Sequence, residues 1–197
     1  MKSFDTNRAW TKVANPEIRQ AQDFRYVARR IADEANTGGY AMYRTILVAI
    51  DGSSSSRLAL REAVRLAAST QGIVHAIHVV DHAPVFAYTD LDPVELVDAM
   101  RKSGRVLLAD AEQACAAADV TCHVELVEPA TLSDDVASIV QRYAEQVHAD
   151  LVVLGTHGRR GVRRLMLGSV AERFLRCSNC AVLLMRDDDS QERTPRD

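Results

Sequence analysis

Short apolar segments alternate with amphipathic helical patterns along most of this chain. The apolar segments predict strands at residues 45–50, 73–80, 121–127, 151–154 and 181–186. The stretches between them predict helices at residues 55–70, 93–118, 134–147 and 169–176. Because crossovers between parallel strands are right-handed, this order predicts an α/β fold, a doubly wound parallel sheet of five strands in a single domain. Such sheets bind ligands at their carboxyl edge, where the strand order reverses.

A glycine-rich loop follows the fourth predicted strand. Gly155 ends the apolar run, and Gly158 and Gly168 let main-chain N–H groups approach an anion without a side chain in the way. Ser169 and Glu172, three residues apart, fit a capping box that opens the next helix. The positive end of that helix dipole would lie beside Gly168. The loop therefore predicts a phosphate-binding site.

The same loop is basic. Its four arginines could neutralise phosphate charges: Arg159, Arg160, Arg163 and Arg164. The alternative is a solvated basic surface, and exposed charges contribute little when they are screened. We expect the amides to position the phosphates and the arginines to support them. His157 could stack on a nucleotide or donate to it, but a single loop histidine is more often an exposed side chain.

The spacing Gly155-x2-Gly158-x9-Gly168-Ser169 resembles the nucleotide-binding signature of the universal stress protein family. Residues 46–53, Ile-Leu-Val-Ala-Ile-Asp-Gly-Ser, resemble the first strand of that family and its turn. Residues 78–81, His-Val-Val-Asp, resemble the end of its second strand. The resemblance covers residues 43–186 and leaves residues 1–42 and 187–197 outside it.

The resemblance implies an adenine-nucleotide α-hydrolase-like fold with strand order 3-2-1-4-5. The first and fourth strands are then neighbours, and Asp51 and Gly155 face one crevice. It further implies that ATP and Mg²⁺ bind there, with nucleotide contacts from Ala49, Ile50, Asp51, Val79, Leu154, Gly155, His157, Gly158, Arg159, Gly168, Ser169 and Val170. Asp51 would accept from the base or sugar, although Asp-Gly-Ser is also ordinary turn chemistry. Val79 would contribute mainly backbone groups and an apolar wall.

The function that the resemblance implies is a nucleotide-responsive, dimeric regulatory factor of stress response. A slow ATP hydrolase or phosphotransferase in the same pocket is one alternative, and a dimeric interaction module without nucleotide is another. The chain lacks the Gly-x4-Gly-Lys-Ser sequence of a P-loop, and it has no local signature of a nucleophile and its base. We therefore expect no catalytic residues and at most a slow ATPase.

Three segments depart from the family pattern. Ala49 stands where nucleotide-binding members often carry proline. Residues 128–135 look a few residues longer than the compact glycine and proline turn of the family, and this segment borders the expected pocket. Residues 179–181 lack the proline that commonly opens the last strand. The longer turn is the only support for the module without nucleotide.

The last predicted strand begins at Ala181 and ends at Arg186. It is apolar and resembles the dimer edge of the family. An apolar strand at the end of a sheet is a ready site for pairing with another chain. We therefore expect a homodimer through this strand.

Metal sites are not expected. Cys177 and Cys180 would flank a helix end rather than a helix start, so the dipole would not activate either thiol. A structural zinc would also need Cys115 and Cys122 to fold against that pair. His75 and His78 lie three apart on a predicted strand and point to opposite faces.

Charge and hydropathy limit the partners. A net charge of −3 gives no dedicated nucleic-acid footprint. No apolar run approaches the roughly eighteen residues that span a bilayer, and the amino terminus lacks the apolar core of a secretory signal, so we expect no membrane attachment and a cytoplasmic protein.

Both ends of the chain lie outside this domain. Residues 1–42 form an amino-terminal extension with a helical apolar face: Ile18, Phe24, Val27, Ala28 and Ile31. This helix could pack on the domain, bind a partner, or precede a chain that starts at Met42. Residues 187–197 form a polar tail that we expect to be disordered.

Overall fold

A parallel sheet lies at the centre of the protein. The computed structural model describes residues 43–82, 92–131, 134–156 and 168–187, so the predicted extension 1–42 and the tail beyond Asp187 lie outside the described residues. The elements in chain order are β1 (Thr45–Ala49), α1 (Ser54–Thr70), β2 (Ile73–Val79), α2 (Pro93–Ala116), β3 (Thr121–Val127), α3 (Val136–Gln146), β4 (Leu151–Gly155), α4 (Ser169–Cys177) and β5 (Ala181–Met185).

The five strands are hydrogen-bonded in the order β3-β2-β1-β4-β5, all in parallel. The predicted α/β class and the strand order implied by the resemblance are both confirmed. The order runs one way from β1 to β3 and the other way from β1 to β5. The reversal places β1 beside β4 and opens a crevice at their carboxyl ends.

Helices cover both faces of the sheet. On one face, Ile46 and Val48 of β1 pack in a buried cluster with apolar residues of α1 and α2. On the other face, Leu47 packs with residues of α3 and with Phe174 of α4. The central strands are therefore apolar on both sides, which explains why β1 and β4 are continuous apolar runs rather than alternating ones.

Side-chain caps determine where three of the helices begin. Ser53 caps α1 by accepting from the Ser56 N–H, and Asp92 caps α2 immediately before a proline in the first turn. Asp135 caps α3 by accepting from the Ser138 N–H. Each cap residue has an extended backbone, so the helix starts just after it. Among the helices of the described ranges, none has the length and apolar character needed to cross a bilayer.

Candidate functional site

The turn after β1 forms one wall of the crevice. The Asp51 carboxylate accepts from the Ser53 N–H at 2.9 Å, and the Asp51 N–H lies 3.4 Å from the Ser56 hydroxyl oxygen. Gly52, between Asp51 and Ser53, has a φ of +85°, a left-handed conformation that favours glycine. The turn-forming role of Asp51 is therefore observed. It remains compatible with ligand binding, because a carboxylate has two oxygens and several acceptor sites.

The end of β4 lies against the first turn of α1. A Cβ atom on Gly155 would lie 2.5 Å from the Ser55 hydroxyl oxygen and 2.9 Å from the main-chain nitrogen of Ser56. Both serines are buried, with 1% and 3% of their surface exposed. Gly155 is thus needed for the close approach of strand and helix, a reason that its position at the end of an apolar run does not reveal.

The amino terminus of α4 forms the third part of the crevice. Gly168 is the N-cap residue and makes no side-chain capping bond, and its N–H donates to the Thr156 carbonyl at 2.7 Å. This bond ties the start of α4 to the end of β4. In the first turn, the N–H groups of Ser169, Val170 and Ala171 point out of the helix end without an acceptor inside the helix.

The predicted capping box is wrong. Ser169 is the first helical residue rather than the cap, because Gly168 takes the extended cap position with φ −61° and ψ 147°. Glu172 therefore lies one position too far into the helix to reach back to the cap. Its N–H donates to the Gly168 carbonyl at 2.9 Å, and its carboxylate pairs with Arg176.

The apolar candidates divide between the two faces of the sheet. The side chains of Val79 and Leu154 are buried in the cluster with α3 and α4, and Ala49 and Val170 pack against that same cluster. Ile50 is buried on the opposite face, in the cluster with α1 and α2. Val79 and Leu154 can therefore offer a ligand mainly their backbone groups.

The remaining loop candidates lie outside the described residues. These are His157, Gly158 and Arg159, together with Arg160, Arg163 and Arg164. Their roles stay predictions. The described part of the site consists of the Asp51 turn, Gly155 and the start of α4.

The connection between β3 and α3 is held by Asp134. Its carboxylate accepts from the N–H groups of Ala130 at 2.9 Å and Thr131 at 3.3 Å. Arg142 of α3 donates to both oxygens at 2.9 and 3.3 Å. The hydrogen bond from Arg142 is the main cause that lowers the pKa of Asp134 to about 2, and the two backbone bonds lower it further. The described part of segment 128–135 is thus anchored to α3.

Two further ion pairs hold the two ends of segment 128–135. Asp135, the cap of α3, lies 3.0 Å from Arg173 of α4 and so links the two helices on that face. At the end of β3, Glu128 accepts from Arg101 of α2 through two bonds of 2.8 and 2.9 Å. The hydrogen bond from Arg101 lowers the pKa of Glu128. The described part of segment 128–135 is therefore held by ion pairs on both faces of the sheet.

A cavity of about 400 Å³ adjoins the crevice between α1 and α2. Its lining includes Ile50 and Gly52 from the turn after β1, and the charged residues Arg57, Arg61 and Asp110. It lies on the face of the sheet opposite α4.

Metal ligands do not gather among the residues that the structure describes: no group of three or more His, Cys, Asp or Glu side chains there could hold an ion. All four cysteines carry free thiols. His75 and His78 lie on opposite faces of β2, since His75 contacts the ring of Tyr143 on the α3 side and His78 lies beside Gly104 of α2.

Comparison with known proteins identifies the family. Residues 42–186 match the model of the universal stress protein family. A universal stress protein of Methanocaldococcus jannaschii is 32% identical over 149 residues, which cover 75% of this chain and 85% of that protein. The crystal structure of a universal stress protein family member from Burkholderia pseudomallei is 38% identical, with a TM-score of 0.61 over 75% of this chain and 98% of that one.

A crystal structure of a universal stress protein in complex with cAMP is also similar. It is 25% identical, with a TM-score of 0.52, and the match covers 75% of this chain and 99% of that one. The match to the family model spans well over half of the chain, and the similar structures share its fold. The chain therefore belongs to the universal stress protein family.

Proposed function

We propose that this chain is an ATP-binding regulatory protein that acts as a dimer and changes its contacts with partners when Mg-ATP is bound. The observation that carries the proposal is the convergence of three features at the strand-order reversal. The Asp51 turn ends β1, the close approach at Gly155 ends β4, and α4 begins beside them through the bond from the Gly168 N–H to the Thr156 carbonyl.

The two ends of the crevice suit the two ends of a nucleotide. A carboxylate at Asp51 matches the hydroxyl and amino donors of a nucleoside. The first-turn N–H groups of Ser169, Val170 and Ala171 and the positive end of the α4 dipole match its phosphates. In this proposal, His157, Gly158 and Arg159 complete the phosphate end, and Mg²⁺ is held by phosphate oxygens and water.

Adenine is proposed on a narrower basis. One similar structure is of a universal stress protein in complex with cAMP, an adenine nucleotide. We extend that ligand class to this chain, and we choose ATP over a monophosphate because the α4 amino terminus and the loop arginines favour additional phosphate charge.

Calorimetry of the nucleotide-free protein with Mg-ATP, AMP and cAMP tests the proposal. We expect one ATP site per chain and tighter binding of ATP than of AMP. Absence of binding by all three, checked by a second method, would contradict the proposed function. In the same samples, phosphate release that keeps pace with binding would favour the hydrolase alternative.

A Gly168→Val variant tests the location of the site. The extended backbone of Gly168, at φ −61°, is accessible to valine, so the protein should fold while the new side chain obstructs the anion. We expect ATP binding to be lost. Ala116→Val is the matched control, because Ala116 is exposed at the far end of α2, near the opposite edge of the sheet.

A further inference from the structure

A buried histidine holds the chain where it leaves β1. His78 of β2 is only 2% exposed, and its Nδ1 atom lies 2.8 Å from the carbonyl oxygen of Ile50. A carbonyl oxygen can only accept a hydrogen bond. Nδ1 therefore carries the proton and donates it.

The His78 ring packs directly against the backbone of α2, because Gly104 has no side chain at that point. A Cβ atom on Gly104, inside α2, would overlap the His78 ring and would lie 2.6 Å from a methyl carbon of Leu126. Glycine is a poor helix former, so its presence in the middle of this helix needs a cause. The cause here is the close packing of the α2 backbone on the histidine ring.

The bond from His78 acts directly on the candidate site. The registered pairs of β1 with β2 end at Ala49 and Ile77, and the Ile50 N–H adds one more bond to the Ile77 carbonyl at 2.9 Å. Beyond that point the Ile50 carbonyl belongs to the same planar peptide unit as the Asp51 N–H. Fixing the carbonyl with His78 therefore fixes the direction in which Asp51 leaves the sheet.

We propose that His78 is a positioning residue for the nucleotide site: its Nδ1–H holds the peptide between Ile50 and Asp51 and so directs the Asp51 carboxylate toward the bound nucleoside. This inference rests on the proposed function for the ligand. The placement of Asp51 by His78 is a separate claim about the protein without ligand.

Two variants at His78 separate positioning from packing. In His78→Asn the amide nitrogen takes the place of Nδ1 and keeps a donor for Ile50, although the smaller side chain leaves a void. In His78→Leu the side-chain volume is about conserved but the donor is lost. We expect ATP affinity to fall about tenfold in His78→Leu, as for the loss of one hydrogen-bond equivalent, and to stay within about twofold of the original in His78→Asn.

Thermal unfolding of the same variants separates the two roles. If His78 only supported the fold, ATP affinity would fall in the same order as stability. We expect His78→Asn to be the less stable of the two, because only the smaller asparagine leaves a void, while it binds ATP better. If affinity instead follows stability, the positioning role is overturned. A double-mutant cycle with Asp51→Ala tests whether His78 acts through Asp51. His78→Leu should cause no further loss of ATP affinity once the Asp51 carboxylate is absent.

Nuclear magnetic resonance of the nucleotide-free protein decides the inference even if the proposed function fails. In the original protein we expect the His78 ring proton to be on Nδ1. We also expect the amide hydrogens of Asp51 and Gly52 to exchange faster in His78→Leu than in His78→Asn. A proton on Nε2 alone, or equal exchange in both variants, would overturn the inference. Failure of the original protein to bind any nucleotide would contradict the proposed function and leave this measurement valid.

Discussion

Gly155 shows how one missing side chain shapes the crevice. Its α-carbon faces the main chain of Ser55 and Ser56 at the first turn of α1, and neither of these buried residues can move without shifting the helix. The contact therefore places the α1 amino terminus and the end of β4 at one fixed separation. This separation determines the width of the candidate site on that side.

We predict that Gly155→Ala lowers the free energy of unfolding by about 1–3 kcal/mol, the usual range for overpacking a close contact. The new methyl group would lie 2.9 Å from main-chain atoms of Ser55 and Ser56, which cannot rotate away. Denaturant unfolding measures the loss. Adding Ser55→Ala removes the hydroxyl contact but not the backbone contacts, so it should restore only part of the stability; full restoration would contradict this account.

The candidate site was predictable from sequence where its residues end apolar runs. Asp51 and Gly155 follow such runs, so their location at the carboxyl edge could be inferred from local pattern alone. The bond between His78 and Ile50 joins residues 28 apart and depends on how β2 lies against β1. The N-cap at Gly168 was also missed, since Ser169 has the better capping side chain and the backbone conformation decides between them.

Helix α2 packs closely on the sheet at Gly104. We predict that Gly104→Ala destabilises the protein by about 1–3 kcal/mol even though alanine favours a helix by about 1 kcal/mol over glycine. The added methyl group would meet the His78 ring and Leu126. Thermal or denaturant unfolding measures the change.

Ser103→Ala is the matched control for that substitution, because Ser103 is an exposed neighbour on the same helix. It should be neutral or slightly stabilising, as expected from helix propensity. A stabilising effect of Gly104→Ala equal to that of the control would show that the ring and the helix do not pack as described.

The turn between β3 and α3 should give a pH-dependent contribution to stability. The pKa of Asp134 is lowered to about 2, chiefly by Arg142, so its carboxylate stabilises the folded state above its ordinary pKa, near pH 4. That contribution is lost as the pH falls from about 4 through about 2 and the group is protonated. We predict that Asp134→Ala lowers the melting temperature at pH 6 and that its deficit shrinks toward pH 3.

Asp110→Ala, which removes an exposed carboxylate from α2, controls for the change in net charge. A deficit for Asp134→Ala that stays constant from pH 6 to pH 3 would contradict the role of its ion pair with Arg142. Arg142→Leu should reproduce the same shrinking deficit, because it removes the main cause of the lowered pKa.

The periodicity of apolar residues predicted which segments are helices and which are strands, whereas the ends of the helices depend on capping residues. The predicted helix at residues 134–147 is shorter in the structure, Val136–Gln146, because Asp134 binds the preceding turn and Asp135 has the extended backbone of a cap. The strand order was not readable from the residues and came from the family resemblance. Order depends on which crossovers pass over which face of the sheet, and local patterns do not carry that information.

The two edges of the sheet differ in character. On the edge strand β3, the side chains of Thr121, His123 and Glu125 are exposed and polar, which discourages pairing with another strand. On the opposite edge, β5 is apolar and half-buried throughout, and Val182 packs against the α3 and α4 cluster. A homodimer formed through β5 would cover the apolar edge and leave the polar one in solvent.

We predict that the chain is a dimer at micromolar concentration and that Val182→Pro makes it a monomer that still folds. The Met185 carbonyl accepts from the Thr156 N–H, so residues of the same parity as Met185 direct their backbone groups toward β4. Val182 has the other parity and directs its N–H toward the free edge, where proline removes a donor needed only by a partner strand. Light scattering measures the mass.

Leu183→Pro is the contrasting variant. Leu183 shares the parity of Met185, so proline there removes an N–H that faces β4 and should lower the stability of the single chain. If Val182→Pro and Leu183→Pro unfold alike, the alternation of backbone groups along β5 is not as described. A monomeric original protein at micromolar concentration would contradict the dimer, and a Val182→Pro variant that stays dimeric while folded would show that the dimer does not form through β5.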